Sequence, residues 1–152
     1  MVEFEESVII HQPVKQVFAF ATDIDNNAKW QTDILETVQT SEGPFGLGSS
    51  YRCVNMFMGR RLETEAIVSE YIPDQKCTYK FKSGFISGEN NFLFEPVNGG
   101  TKFTTCARVK LGLFSLAVGT FKRKAREQIK KDLNTLKLIL ENGHRPLHPS
   151  LL

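Results

Sequence analysis

The sequence predicts an α+β fold in which a long C-terminal helix packs onto a curved antiparallel sheet. Three patterns carry that prediction. Period-two apolar runs recur along the chain between turn residues, two short helical segments follow the first run, and the periodicity becomes helical near the C-terminus.

The first run, Val2 to His11, places Phe4, Val8 and Ile10 in phase as a half-buried strand, and Pro13 ends it. From Pro13 to Thr22 the set Val14, Val17, Phe18, Phe20 and Ala21 has helical spacing, with proline in the first turn, where a helix tolerates it. Asp23 to Trp30 reads as a second short helical turn with Asp23 or Asp25 as its N-cap. Six strand-like runs follow at approximately 32–41, 48–58, 62–72, 76–83, 88–96 and 101–111. Gly59, Ser83-Gly84 and Asn98-Gly99-Gly100 mark the sharpest turns between them, so the order is that of an antiparallel meander. From Ser115 to Asn142, Ala117, Phe121, Ala125, Ile129, Leu133, Leu136 and Leu140 recur every three or four residues, and Gly143 supplies the stop. The expected organisation is one domain over residues 1–143 and a loosely held tail over 144–152.

Composition narrows the function classes. Hydrophobic residues make up 41% and charged residues 24%, which fits a globular chain and argues against disorder. A net charge of +2 provides no concentrated basic surface, so no nucleic-acid partner is expected. Cys53, Cys77 and Cys106 are odd in number and lack CxxC spacing, which reads as free thiols in a reducing compartment. No basic-then-apolar leader and no membrane-length apolar run is present, and the expected location is cytoplasmic.

Geometry then raises the question of an internal space. Seven strands about 4.8 Å apart make a sheet about 30 Å wide, whereas a helix with its side chains is about 10–12 Å across. Sheet curvature and the short helices must cover the rest, leaving a region that is either packed by large side chains or hollow. Strand alternation selects its lining: Tyr51, Cys53, Asn55 and Phe57 on one strand, Tyr79 with Phe81, Phe92 with Phe94, and Phe103 with Thr105 and Ala107. Trp30 from the short helices and Ala117 with Phe121 from the last helix complete the candidate ligand-binding set. An aromatic lining with Tyr51, Asn55, Tyr79 and Thr105 as neutral polar anchors suits a small-molecule pocket, and it equally suits a plain core.

The residues Val8-x-Ile10 with Pro13-x-x-x-Val17-Phe18, Asp23 with Trp30, Gly43-Pro44-x-Gly46-x-Gly48 running into Tyr51, Val68-x-x-Tyr71-x-Pro73, Phe92-x-Phe94-x-Pro96 and Gly100-Thr101-x-Phe103-Thr104 cover nearly all of 2–141. In that order and spacing the chain resembles the START-related, birch-pollen-allergen-like superfamily SRPBCC, especially its polyketide cyclase/dehydrase-like branch. The resemblance implies a helix-grip fold: two short helices after the first strand, seven antiparallel strands, and a C-terminal helix roofing a hydrophobic cavity. Relatives bind lipids, sterols, hormones or polyketides, some catalyse cyclisation or dehydration, and some serve as chaperone partners, so the function stays open on fold alone.

No catalytic constellation emerges from the sequence. His11, His144 and His148 lie at a strand end and in the tail, and His, Cys and carboxylates do not cluster at metal-ligand spacing, so neither a metal nor a cofactor is expected. Gly43, Gly46 and Gly48 lack the Lys-Ser/Thr and helix of a phosphate loop and read as turn glycines. Glu63 and Glu65 share the solvent face of a strand whose other face carries Leu62, Thr64, Ala66 and Val68. Should the protein be an enzyme, Tyr51 and Tyr79 would hydrogen-bond an enolate or carbonyl with Asn55 orienting it. Cys53 reads as packing. The last helix presents Lys122, Arg123, Lys124, Arg126, Lys130, Lys131 and Lys137 with Glu127 and Asp132, a solvated face first and an anionic-membrane surface second. The leading expectation is a carrier or sensor of a small hydrophobic or amphipathic molecule, with a cyclase/dehydratase and a filled-core interaction module as competitors; the oligomeric state is not specified.

Overall fold

The computed structural model describes residues 1–112 and 117–142. Strand β1 (Val2–Ile10) leads into α1 (Val14–Thr22), a 3-10 turn over Ile24–Asn26 and α2 (Asn27–Trp30). Six strands follow: β2 (Ile34–Gln39), β3 (Ser50–Phe57), β4 (Arg60–Ile72), β5 (Lys76–Ser83), β6 (Ile86–Val97) and β7 (Gly100–Lys110), and α3 (Val118–Asn142) closes the described chain. The expected start of the last helix at Ser115, its stop at Gly143 and the tail beyond lie outside the described residues.

The strands form one seven-stranded sheet in the order β1-β7-β6-β5-β4-β3-β2. Every neighbouring pair is antiparallel, so β2 to β7 are a meander and β1 returns to pair with β7. The helix-grip fold expected from the sequence is the fold observed. Two register shifts, between Ile34 and Glu36 and between Val68 and Glu70, bend the sheet. The second also resets the phase of β4, so that Val68 and Tyr71, three residues apart, both pack toward the core. At the α1 to α2 corner, Asp23 Oδ1 accepts from the Asp25 amide at 3.0 Å, making Asp23 the cap of the 3-10 turn.

Helix α3 lies along β1 and against α2. Its attachment to β1 is polar at the rim: Arg126 Nη2 is 2.7 Å from Glu6 Oε1, the His11 amide donates to Glu141 Oε2 at 2.8 Å, and Gln12 Nε2 donates to the Leu140 carbonyl at 3.1 Å. Beneath the rim the apolar stripe splits into two groups. Leu133, Leu136 and Leu140 join Ile10, Val17, Phe18, Trp30, Phe94 and Phe103 in one, while Phe121 and Ala125 join Val2, Phe4, Ala107 and Val109 in the other. Helix α3 therefore packs toward the β1–β7 side of the sheet, and α2 packs against the edge strand β2 on the other side.

A half-hollow sheet with a carboxylate in its wall

The inner face is filled unevenly. Toward the α1 end the rings interlock: Phe18 meets Phe94 at 5.0 Å, Phe94 stacks on Phe103 at 4.9 Å, and Phe92 meets Phe103 edge-on at 5.2 Å. Toward the β3–β4 turn, Phe57 and Phe121 close the end of the sheet with ring centroids 5.3 Å apart. Between these plugs lies a cavity of about 230 Å³ lined by Asn27, Gln31, Asp33, Ile34, Tyr51, Cys53, Asn55, Thr64, Ala66, Tyr79, Phe81, Asn90 and Phe92.

Of the residues selected from the sequence, the structure thus brings Tyr51, Cys53, Asn55, Tyr79, Phe81 and Phe92 together on the cavity wall. Trp30, Phe94 and Phe103 belong to the packed group beside it. Thr105 is buried behind the wall, where its hydroxyl donates to Asn90 Oδ1 at 2.8 Å. Phe57 and Phe121 form the end plug, and Ala117 is exposed at the start of the last helix. No residue of α3 lines the cavity, which departs from the expectation that this helix would be its roof. The physical reason is its position over β1: the helix is spent on that side, and the cavity is bounded instead by the α2–β2 segment.

The wall is also more polar than alternation suggested. Sequence reasoning missed Asn27, Gln31, Asp33, Ile34 and Asn90, and it assigned Thr64 and Ala66 to the inner face without treating them as site residues. Asn90 was reachable, since it lies two residues before Phe92 in the same phase. The residues 27–34 run from the single turn of α2 into the first residue of β2, too short a stretch for periodicity to assign their facing.

Two of the amides are clamped by neighbouring strands. The Thr64 hydroxyl donates to Asn55 Oδ1 at 3.0 Å, as Thr105 does to Asn90. With both amide oxygens engaged, the amide nitrogens are the groups left to serve a ligand. The phenols of Tyr51 and Tyr79 stand on β3 and β5, either side of β4, with their rings 5.9 Å apart, and burial pushes both above the usual tyrosine range, so they remain neutral hydrogen-bonding groups.

The chief correction concerns acids. The sequence offered no carboxylate pair, yet Asp33 lines the cavity and Asp132 is buried behind it, close enough for the Asp33 charge to oppose ionisation of Asp132. Burial raises the Asp33 carboxyl above its ordinary range, an effect that its own backbone amide partly offsets. Burial is also the main cause of the rise of Asp132 to about 6, reinforced by Asp33 and opposed by three donors. Those donors all reach Asp132 Oδ1: the Thr32 amide at 3.0 Å, the Thr32 hydroxyl at 3.1 Å and Gln128 Nε2 at 2.8 Å. Asp132, expected on the solvated face of the last helix, is instead the point that ties α3 to the segment carrying Asp33. Cys53, next along the wall, is pushed up to about 11 by burial and then by Asp33, which makes its thiol unreactive at neutral pH.

Comparison with known proteins agrees with this architecture. Residues 1–141 match the family described as polyketide cyclase/dehydrase and lipid transport. No match is found among curated proteins. Among solved structures, a START superfamily protein from Mycobacterium smegmatis superimposes with a TM-score of 0.75 at 14% identity, over 92% of this chain and 97% of that one. The di-domain ARO/CYC StfQ from the steffimycin biosynthetic pathway gives 0.76 at 13% identity, over 94% of this chain and 52% of that one. Ara h 8.0201 gives 0.73 at 12% identity, over 93% and 98%. At such identities the structural likeness speaks for the fold alone; the sequence match over residues 1–141 places the chain in the polyketide cyclase/dehydrase and lipid transport family of the SRPBCC superfamily.

Proposed function

We propose that this protein is a carrier or sensor that binds a small amphipathic molecule in the cavity between its two aromatic plugs. One observation carries the reading: a space of about 230 Å³ persists inside a sheet whose two ends are otherwise filled by interlocked rings. The pocket is concave, partly open to solvent, and lined by rings with a few convergent polar groups, the makeup of small-molecule sites. That is room for at least one ring and a short polar arm. Tyr51, Tyr79, Phe81 and Phe92 supply dispersion contact, and the Asn55 and Asn90 amides supply fixed donors.

Native mass spectrometry of freshly purified protein tests this. The expected spectrum carries a non-covalent adduct of low mass that disappears on gentle unfolding, and a spectrum of bare protein alone, unchanged by added small aromatic compounds, would count against a ligand-binding role.

The cyclase/dehydratase alternative is favoured by one observation, the partly desolvated carboxyl of Asp33 lining the same space as Tyr51 and Asn55. A carboxylate desolvated in this way is a stronger base than one in water, and the phenol and amide would stabilise an enolate oxygen. Under this reading the protein accelerates solvent-deuterium exchange into the methyl group of acetophenone and Asp33→Asn abolishes the effect; no acceleration by the wild-type chain removes the enzyme.

A further inference from the structure

We propose that the cavity selects a small organic ammonium ion, its cationic nitrogen held by Asp33 and its apolar body by the aromatic wall. This inference rests on the ligand-binding reading above and names the chemistry of the ligand.

The charge inside the cavity has one sign. Asp33 lines it, Asp132 stands behind Asp33, and no lysine, arginine or histidine is among the lining residues. A carboxylate ligand would enter against that charge and find no counter-ion, whereas an ammonium would be drawn in. Within the low-dielectric interior the preference is larger than it would be at the surface.

The wall also suits a cation. Tyr51, Tyr79 and Phe92 all line the cavity, with Tyr51 and Tyr79 meeting at 5.9 Å and Tyr79 and Phe92 at 5.1 Å, and aromatic rings attract a cation placed over their faces. Hydrogen bonding is incomplete in the complementary sense. Among the described residues no side chain donates to the Asp33 carboxylate, whose hydrogen bond comes from its own backbone amide. Burying acceptors without donors is unfavourable, and an ammonium brings up to three donors to the place that lacks them. The Asn55 and Asn90 amide nitrogens, freed by the threonine clamps, would take an oxygen at the other end of such a ligand.

Three probes that share a phenyl ring and a three-carbon arm separate the possibilities: phenylpropylamine, phenylpropanol and phenylpropanoate, each titrated calorimetrically into the full-length protein at neutral pH. The amine is expected to bind roughly tenfold or more tighter than the alcohol, with the carboxylate weakest. Asp33→Asn should remove the amine's advantage over the alcohol. If the alcohol or the carboxylate binds the wild-type chain as tightly as the amine does, the ammonium inference is overturned while the ligand-binding reading survives. If none of the three binds and native spectra show no adduct, both are overturned. The wild-type comparison decides the matter even if Asp33→Asn fails to fold.

Discussion

At the scale of single residues, Asp132 shows what the interior does to a charge. Its folded pKa of about 6 lies above the ordinary carboxylate range, so the folded state favours the protonated acid. The stability this group contributes is complete below its unfolded pKa and is lost as pH rises through the folded one, a loss of up to about 3 kcal/mol across the window. Asp132→Asn keeps an Oδ1 acceptor for Thr32 and Gln128 and removes the ionisation. Urea denaturation should therefore find the variant more stable than wild type by about 1–3 kcal/mol near pH 7.5 and little changed near pH 4. A variant that is less stable near pH 7.5 would show that the charge itself holds the segment. Neither Asp33 nor Asp132 stood out in the sequence, because an acid on the polar side of a heptad-like pattern is assigned to solvent. Only the close approach of Thr32 to α3, from a hundred residues away, takes Asp132 out of water.

Among the elements, strands and helices were legible where periodicity had room to repeat. Phe92, Phe94 and Phe103 are buried in the phase that alternation gave them, and the stripe from Phe121 to Leu140 is the buried face of α3. The bulge at Val68 to Glu70 was not legible, since backbone irregularity leaves no compositional mark there. Turn glycines were visible as punctuation, but their roles differ in a way that only packing reveals. A Cβ at Gly100 would stand 2.2 Å from the Ile10 carbonyl oxygen and 3.0 Å from His11 Cα, both backbone atoms of the β1 exit. Neither can move without breaking the Ile10–Thr101 pairing of β1 and β7. Gly46 has open space around it and an ordinary φ. Gly100→Ala should thus cost about 2–3 kcal/mol and lower the melting temperature by about 5–10 °C. Gly46→Ala should be neutral or slightly stabilising, because alanine there only restricts the unfolded chain. Thermal melts of the two variants that coincide would refute the distinction.

For the molecule as a whole, the mismatch between one helix and a wide sheet was legible from lengths alone, but its resolution was not. Width predicts uncovered sheet without saying whether aromatic rings or empty space take it up. The structure does both: rings at the two ends, and between them a space edged by polar groups from α2 and the link into β2. A substitution at Ala66 separates a working cavity from loose packing. Ala66 is buried on β4 in the cavity wall, and its side chain points at the empty region. Leucine there adds three carbons, about 2 kcal/mol of apolar burial if the space is free to receive them. In a filled core the same three carbons would force neighbours off their rotamers and cost about 1–3 kcal/mol. Ala66→Leu is therefore expected to hold or raise the melting temperature while abolishing the low-mass adduct and the binding of phenylpropylamine. That combination, stability gained as ligand is lost, is what a cavity kept open for use would show. A fall in melting temperature would mean that the interior has no room to give, and that the fold is stabilised by what already fills it.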